Sequence, residues 1–211
     1  IFSKLSVDGN GKLIGTADSY GIYASGDLTI NGGTIAVTTY YESIISFGNV
    51  SINGGDIIAE TTLIGDCIYA NYDLTINGGN VTAISAHRAI GYRYGGSVTI
   101  AKDLNIRAST TADGELGEYT AANHNTYKKI VIESPAINTV NVSATWSGTP
   151  KDATTSTKGA AVTDTKWYKK SGSNWVQLSA SDTIKEGGSY RCKVTVGATG
   201  NYKLADGYTV K

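Results

Sequence analysis

Three copies of one unit run through the chain: LTINGGTIAVT at residues 28–38, VSINGGDIIAE at 50–60 and LTINGGNVTAI at 74–84. They begin 22 and then 24 residues apart. Weaker copies, VTIAKDLNIRA at 98–108 and LSVDGNGKLIG at 5–15, extend the series in both directions. Self-similarity at such a period is typical of solenoids, whose repeats bury a core only by stacking. The repeat therefore predicts a solenoid over the first half of the chain.

The composition of one unit indicates β-strands rather than helices. In GIYASGDLTINGGTIAVTT, residues 21–39, apolar and polar residues alternate in three short stretches, as in strands with one buried face. Ser-Gly-Asp and Asn-Gly-Gly separate the stretches, and both are strong turn signals. Three strands and three turns make one rung of a parallel β-helix, in which rungs stack about 4.8 Å apart. The five copies predict about five rungs.

Three ladders of apolar side chains are expected to fill the core, because equivalent positions stack from rung to rung. The predicted ladders are Ile22, Ile44, Ile68 and Ile90; Ile30, Ile52, Ile76 and Ile100; and Ile35, Ile57, Val81 and Leu104. Asn31, Asn53 and Asn77 follow the second strand in register, with Asp8 in the first rung. We interpret these polar residues as turn chemistry with hydrogen bonds along the ladder, and a ligand role is the alternative.

The repeated [LV]-[TS]-I-N-G-G-x-[IV] unit resembles the right-handed parallel β-helix repeats of cell-surface and adhesin-like proteins of Gram-positive bacteria. The resemblance covers about residues 5–110. It implies an extracellular location, secreted or at the cell surface, with a signal segment that is not in this chain. Pectate-lyase-like and carbohydrate-binding proteins share this architecture, so the fold alone does not define a function.

The repeat pattern stops after Ala108. Residues 109–126 are small, polar and turn-rich, which indicates a loop or cap over the end of the core. YKKIVIESP at 127–135 predicts a last strand with Ile130 and Ile132 on one face.

A second domain is predicted after that strand. Short strand candidates separated by Gly-, Ser- and Thr-rich turns follow at 139–146, 165–170, 174–178, 189–196 and 207–210. Lys166-Trp167-Tyr168-Lys169 and Tyr190-Arg191-Cys192 resemble the Trp strand and the Tyr-x-Cys strand of immunoglobulin-like (Ig-like) domains. The earlier strand has no Cys, so the resemblance implies a disulfide-free Ig-like β-sandwich of the kind found in bacterial surface proteins. The predicted fold is therefore all-β, with a parallel β-helix and its cap over 1–133 and the sandwich over 134–211.

Charge and cysteine content are consistent with this division. The chain has no net charge, which gives no general attraction to nucleic acid or anionic membrane. No apolar run has membrane-spanning length, so no direct membrane insertion is expected.

The distribution of charge supports the boundary between the two domains. Residues 1–133 hold 8 basic and 13 acidic residues, whereas residues 134–211 hold 10 basic and 5 acidic residues, so the net charge changes sign there. The two cysteines, Cys67 and Cys192, fall in different domains and are predicted to be free thiols.

The candidate binding site is a row of aromatic residues on one outer edge of the solenoid. Outward strand positions and the turns after them carry Tyr23, Phe47, Tyr69, Tyr72, Arg93 and Tyr94. Tyrosines beside acids and arginines can stack on sugar rings and bond their hydroxyls. Outward β positions also favour aromatic residues whatever the function, and an edge of this kind can instead pack against the second domain or bind a protein partner.

No catalytic residue, metal ligand or cofactor is predicted. His87 and His124 sit in no recognised ligand or catalytic motif, and the position of His87 is typical of a turn histidine. A polysaccharide lyase would need calcium-binding carboxylates beside a basic residue. The residues that come nearest to this pattern are Asp27, Asn49 and Asp73, which stack in register, with Arg88 and Arg93 nearby. Turn chemistry explains that stack. The function expected is a non-enzymatic binding or adhesion module for polysaccharide or host glycan. A structural spacer and a polysaccharide lyase are the alternatives.

Overall fold

The computed structural model describes residues 4–211 and is almost entirely β. The chain divides into two compact units, Ile1–Pro135 and Ala136–Lys211, two residues beyond the boundary placed at 133/134. Within the described residues the single helix is a 3-10 turn, Ala121–Thr126, and no helix there is long and apolar enough to cross a membrane.

Sixteen strands lie in the described part of the first unit. They are β1 Lys4–Val7, β2 Lys12–Ala17, β3 Ile22–Ala24, β4 Asp27–Ile30, β5 Thr34–Thr39, β6 Ile44–Ser46, β7 Val50–Ile52, β8 Asp56–Thr61, β9 Asp66–Ala70, β10 Leu74–Ile76, β11 Asn80–Ser85, β12 Arg88–Tyr92, β13 Val98–Ile100, β14 Asn105–Ser109, β15 Gly117–Glu118 and β16 Lys129–Glu133.

These strands form three sheets, and neighbouring strands among β1 to β13 come from successive rungs. The five-stranded sheet has the order β1-β4-β7-β10-β13, and the four-stranded sheet has the order β3-β6-β9-β12. The third sheet begins β2-β5-β8-β11 and continues through β16, β14 and β15. All pairs in the first two sheets are parallel, as are those among β2, β5, β8 and β11. The first unit is therefore a parallel β-solenoid, which confirms the predicted class of fold, but it has about four turns instead of the five rungs predicted.

The first two predicted ladders are confirmed in register. Ile22, Ile44, Ile68 and Ile90 pair from strand to strand across the four-stranded sheet. Ile30, Ile52, Ile76 and Ile100 do the same in the five-stranded sheet. All eight belong to one apolar core or pack against it, and only Ile100, on the last strand, is half-buried. Period-2 alternation thus placed these side chains on the inner face, as expected.

The third ladder departs from the prediction at its end. Strand β16 inserts antiparallel between β11 and β14, so that Val81 pairs with Ile132 and Ile132 pairs with Ile106. Leu104 is buried, but it precedes β14 and is not the ladder residue that we expected. The fifth copy has Ala-Lys-Asp in place of Asn-Gly-Gly, and without that turn its third strand does not continue the parallel stack beside β11. The predicted last strand, β16, therefore lies inside the third sheet, where it separates β14 from β11.

The Asn-Gly-Gly turn is needed in the three copies that contain it, for two reasons. Its second glycine has φ of +87° at Gly33, +97° at Gly55 and +90° at Gly79, a region that side chains with a Cβ rarely adopt. A Cβ at Gly55 or Gly79 would also lie 2.9 or 2.7 Å from the carbonyl oxygen of the equivalent glycine one rung earlier. Only glycine lets the turns stack this closely.

The asparagines of these turns form a hydrogen-bonded ladder. Asn77 donates to Asn53 at 2.9 Å, Asn53 to Asn31 at 2.8 Å, and Asn31 to the Asp8 carboxylate at 2.7 Å. Each side-chain amide thereby bonds the rung before it, which confirms the structural interpretation of these positions.

The second unit is also all-β within the described residues. Its strands are β17 Ala136–Val140, β18 Val142–Ser143, β19 Trp146–Ser147, β20 Thr149–Pro150, β21 Thr154–Thr155, β22 Ala160–Ser171, β23 Asn174–Gln177, β24 Tyr190–Ala198 and β25 Lys203–Val210. The largest sheet is the antiparallel β23-β22-β24, and the other strands pair two by two, with β17 and β25 parallel. These pairings do not confirm the predicted two-sheet Ig-like sandwich. They do place Trp167 directly opposite Cys192 on neighbouring strands.

Both cysteines are free thiols, as predicted, but their surroundings differ. Cys67 is fully buried in the solenoid core, and burial raises its pKa to about 12. Cys192 is half-buried rather than a core residue, and burial raises its pKa too.

We therefore expect two reactive thiols in denaturant and one, Cys192, in the folded protein. A thiolate is the reacting species, and Cys67 is both protonated and inaccessible. Titration with a thiol reagent, followed by mass spectrometry of the labelled peptides, measures this directly. Absence of free thiols in denaturant, with an intact mass lower by two hydrogens, would contradict the structure.

Candidate functional site

A groove of about 660 Å³ lies on the outer face of the four-stranded sheet. The strands β6, β9 and β12 and the turns around them supply its walls. Its lining residues are Tyr20, Glu42, Ile45, Phe47, Ile64, Gly65, Asp66, Tyr69, Asn71, His87, Arg88, Tyr92 and Arg93. The groove lies on the edge where the sequence predicted a binding surface.

Three of the six predicted site residues line the groove directly. Phe47 follows β6, Tyr69 is the outward residue of β9, and Arg93 follows β12. Parallel register aligns these positions, because Tyr23, Ile45, Tyr69 and Gly91 pair in sequence across the sheet. The groove therefore results from the stacking of equivalent outward positions.

The other three predicted residues form its rim: Tyr23 contacts Phe47, Tyr94 contacts Arg93, and Tyr72 contacts Tyr94. The rings of Tyr23 and Phe47 meet edge-on, with centroids 5.5 Å apart. Tyr72 contacts Tyr94 at 6.1 Å, and the Arg93 guanidinium lies 5.4 Å from the centre of the Tyr94 ring. Tyr94 adopts a left-handed backbone, with φ of +48°. Within the described residues it is the only residue other than glycine that does so.

Phe47, which lines the groove, and the aromatic residues of the rim are well exposed. Tyr23 and Tyr72 are each 50% exposed, Phe47 is 44% exposed and Tyr94 is 65% exposed. Tyr69, on the groove wall, is half-buried. Isolated exposed apolar residues are ordinary, but a contiguous set is typical of interaction sites.

A buried carboxylate at the groove was not predicted. Asp66 is only 3% exposed, and its two oxygens accept from Arg88 at 2.7 Å from Nε and 2.6 Å from Nη2. His87 Nδ1 lies 2.9 Å from the same carboxylate. A bidentate pair of this kind holds the guanidinium in one plane and one orientation. Arg88 is thus presented to the groove already positioned, while it remains partly exposed.

Gly91 explains why Asp66 can be buried there. A Cβ at Gly91 would overlap the carboxylate of Asp66, so any larger residue would displace the acid from Arg88. In the sequence, Gly91 interrupts the outward row of Tyr23, Ile45 and Tyr69. That interruption is the one signal that could have drawn attention to this position.

The Tyr69 hydroxyl is a neutral hydrogen-bonding group at the groove wall. Burial raises the pKa of Tyr69, and a hydrogen bond and charge from Arg93 oppose that rise without cancelling it. Together with Arg88 and Arg93, this hydroxyl gives the groove several polar contacts between aromatic faces.

The stacked side chains of Asp27, Asn49 and Asp73 form hydrogen bonds to the turns of the next rung. The Asp27 carboxylate accepts from the backbone and side-chain nitrogens of Asn49 at 2.9 and 3.0 Å. Asp73 Oδ1 in turn accepts from the backbone and hydroxyl of Ser97 at 2.9 and 2.8 Å. Among residues 4–211 no group of three or more His, Cys, Asp or Glu side chains is arranged to hold a metal ion.

The fold and the groove define the class of this protein as a parallel β-solenoid with an aromatic-rimmed outer groove, followed by a second all-β unit. Comparison with known proteins finds no matching family model, no matching curated protein and no matching solved structure. The function is therefore inferred from the geometry of the groove.

Proposed function

We propose that this chain is a non-enzymatic carbohydrate-binding module of a secreted or surface-attached bacterial protein, acting in adhesion or glycan capture. The observation that carries the proposal is the groove itself, where exposed aromatic rings stand beside a guanidinium that Asp66 holds in place. Sugar rings present apolar C–H faces and a periphery of hydroxyls. A site that offers aromatic faces and fixed donors together matches both features.

The charge of the groove favours a glycan with little net charge. Its lining contains two acidic residues, Glu42 and Asp66, and two arginines, Arg88 and Arg93. Asp66 already neutralises Arg88. A polyanion would gain little from such a balanced surface, whereas neutral sugar hydroxyls can use both the donors and the acceptors.

The spacing of the solenoid suits an extended chain. Tyr23 and Tyr69 hold equivalent positions two rungs apart. At about 4.8 Å per rung they are separated by roughly 10 Å along the axis, near the length of two sugar residues. A glycan running along the axis would therefore meet an aromatic ring at both positions.

The surface location and the Ig-like nature of the second unit belong to the same proposal. Their support is the resemblance of the repeat to surface proteins, together with the placement of Trp167 opposite Cys192. In this proposal the second unit is a module that accompanies the binding solenoid.

A glycan array that covers bacterial, plant and host glycans tests the function. Wild-type protein should bind at least one neutral glycan, and F47A/Y69A should lose at least tenfold in affinity because both groove-lining rings are removed. Calorimetry with the best glycan gives the affinity.

Tyr40→Ala is the matched control, since Tyr40 is 48% exposed but does not line the groove. It should bind like the wild type. If the wild-type chain binds no glycan, the spacer alternative replaces this proposal. Release of unsaturated uronides from a polysaccharide in the presence of calcium would instead establish a lyase.

A further inference from the structure

The second unit carries an excess of positive charge, although the chain as a whole is neutral. Residues 136–211 hold 10 basic and 5 acidic residues. Half of these basic residues lie on two neighbouring strands of its largest sheet, β22 and β24. They are Lys166, Lys169, Lys170, Arg191 and Lys193. The same two strands contain a single acidic residue, Asp164, so the charge is concentrated on this sheet.

One face of the sheet is buried, and the other face carries most of this charge. Trp167 on β22 and Val196 on β24 are 6% and 8% exposed, and they mark the inner face. Successive side chains of a strand point to opposite faces, so residues an odd number of positions from these two lie on the outer face. The basic residues of the outer face are Lys166, Lys170, Arg191 and Lys193, and all four are exposed.

Two lysines of the outer face lie directly opposite each other. Lys166 pairs with Lys193 across β22 and β24, and like charges in this position destabilise a sheet. Asp164 compensates only one of them, since its carboxylate lies 2.7 Å from Lys166 Nζ. Lys193 forms no salt bridge with any residue that the structure describes. The sheet thus retains an unfavourable pair that folding does not require, which indicates a binding role for the charge.

Arg191 is held over two aromatic rings of the same face. Its guanidinium carbon is 4.8 Å from the centre of the Tyr168 ring and 4.7 Å from the centre of the Trp175 ring. Stacking restricts the guanidinium but leaves the N–H groups in its plane available. Among residues 4–211, Arg191 forms no salt bridge. Arg191 therefore presents positioned donors to a group outside the protein.

We propose that the outer face of β23-β22-β24 binds an acidic polysaccharide, whose carboxylate or sulfate groups contact Arg191, Lys170 and Lys193. Lys166 and Lys170 are four positions apart on one strand, which is roughly 13 Å at about 3.3 Å per residue. Arg191 lies opposite Tyr168, midway between them. A row of positive charges of this length suits a linear chain with repeated anionic groups better than a single small anion.

The aromatic rings favour a polysaccharide over a single-stranded nucleic acid. Proteins that bind single strands stack successive bases on open aromatic faces. Here the guanidinium of Arg191 occupies a face of both Tyr168 and Trp175. The surface therefore offers charged donors rather than platforms for bases. It uses none of the residues of the solenoid groove, so the proposal holds whether or not that groove binds a neutral glycan.

Dextran and dextran sulfate are a matched pair of probes, because they share a backbone and differ in charge. Calorimetry with the whole chain at low ionic strength should detect binding of dextran sulfate and no binding of dextran. The affinity should fall as salt is added, because exposed charges are screened. Carboxymethyl-dextran supplies carboxylates on the same backbone, and the tighter of the two anionic polymers identifies the preferred group.

Lys193→Glu identifies the surface and separates binding from folding. It should weaken the binding of dextran sulfate by roughly tenfold or more, because it replaces a contacting cation by an anion. It also places opposite charges across from Lys166, so the midpoint of urea unfolding should stay the same or rise. Lys170→Glu, at the other end of the row, should weaken binding by a similar factor.

Lys169→Glu is the matched control, since it makes the same charge change on the same sheet but on the opposite face. At physiological salt, where charges more than about 8 Å apart are screened, it should keep the affinity within about twofold of the wild type. Should Lys193→Glu fail to fold, Lys170→Glu against Lys169→Glu gives the same comparison.

Three results would overturn the proposal. A chain that binds neither anionic dextran has no such site. Equal losses in Lys169→Glu and in the outer-face variants would mean that net charge, and not this face, attracts the polymer. An oligothymidylate that binds as tightly as dextran sulfate would make the face a nucleic-acid surface instead.

Discussion

Ile52→Ala is expected to lower the free energy of unfolding of the solenoid by roughly 2–5 kcal/mol, the usual cost of truncating a buried aliphatic side chain. Ile52 is fully buried and lies between Ile30 and Ile76 in the middle of a ladder. The rungs on either side are held by parallel pairing, so they cannot collapse into the cavity. Urea unfolding followed by far-UV circular dichroism measures the change.

Ile58→Ala is the matched control for that experiment. Ile58 is on the next strand of the same rung, but it points outward and is 56% exposed. The same truncation there should change the free energy of unfolding by about 0.5 kcal/mol or less. Equal effects at the two positions would contradict the assignment of inner and outer faces.

Arg88→Met is expected to destabilise the solenoid by about 3–5 kcal/mol, because it leaves the Asp66 carboxylate buried without its partner. Asp66 is 3% exposed and receives two charge-assisted hydrogen bonds from Arg88. His87 remains beside the acid. Thermal and urea unfolding at neutral pH measure the loss.

A second variant distinguishes a buried ion pair from a general need for arginine. D66N/R88M removes both charges and should recover much of the stability lost in Arg88→Met. Arg107→Ala breaks the exposed pair with Glu133, whose members are 54% and 46% exposed, and should cost about 1 kcal/mol or less. If Arg88→Met is no more costly than Arg107→Ala, the buried pair does not stabilise the fold.

Local patterns predicted the repeating part of the fold. Alternation of apolar residues at Leu28, Ile30, Ile35 and Val37 assigns each to the inner face, and the repeat period assigns its partner in the next rung. Alternation depends on near neighbours and the repeat on a fixed offset of 22 to 24 residues, so both can be read directly along the chain, and the register that they predict is confirmed. The aromatic edge was predictable for the same reason, since an outward position in one rung is outward in the next.

Contacts between distant parts of the sequence escaped prediction. Insertion of β16 beside β11 joins Ile132 to Val81, 51 positions apart, and no periodicity relates the two. Asp66, Arg88 and Gly91 form one arrangement only because two strands lie side by side. In the sequence, Asp66 resembles an ordinary acid after a turn.

The sequence by itself determined the parallel β-solenoid, its inner ladders, its Asn-Gly-Gly turns and the outer row that carries Tyr23 and Tyr69, because a repeated local pattern has one way to stack. Only the tertiary structure decided how the solenoid ends, where the groove lies and which carboxylate holds Arg88. These features occur where the repeat is broken, at Ala-Lys-Asp in the fifth copy and at Gly91 in the outward row. At such positions the local structure depends on packing between strands, and the periodicity of the sequence does not encode that packing.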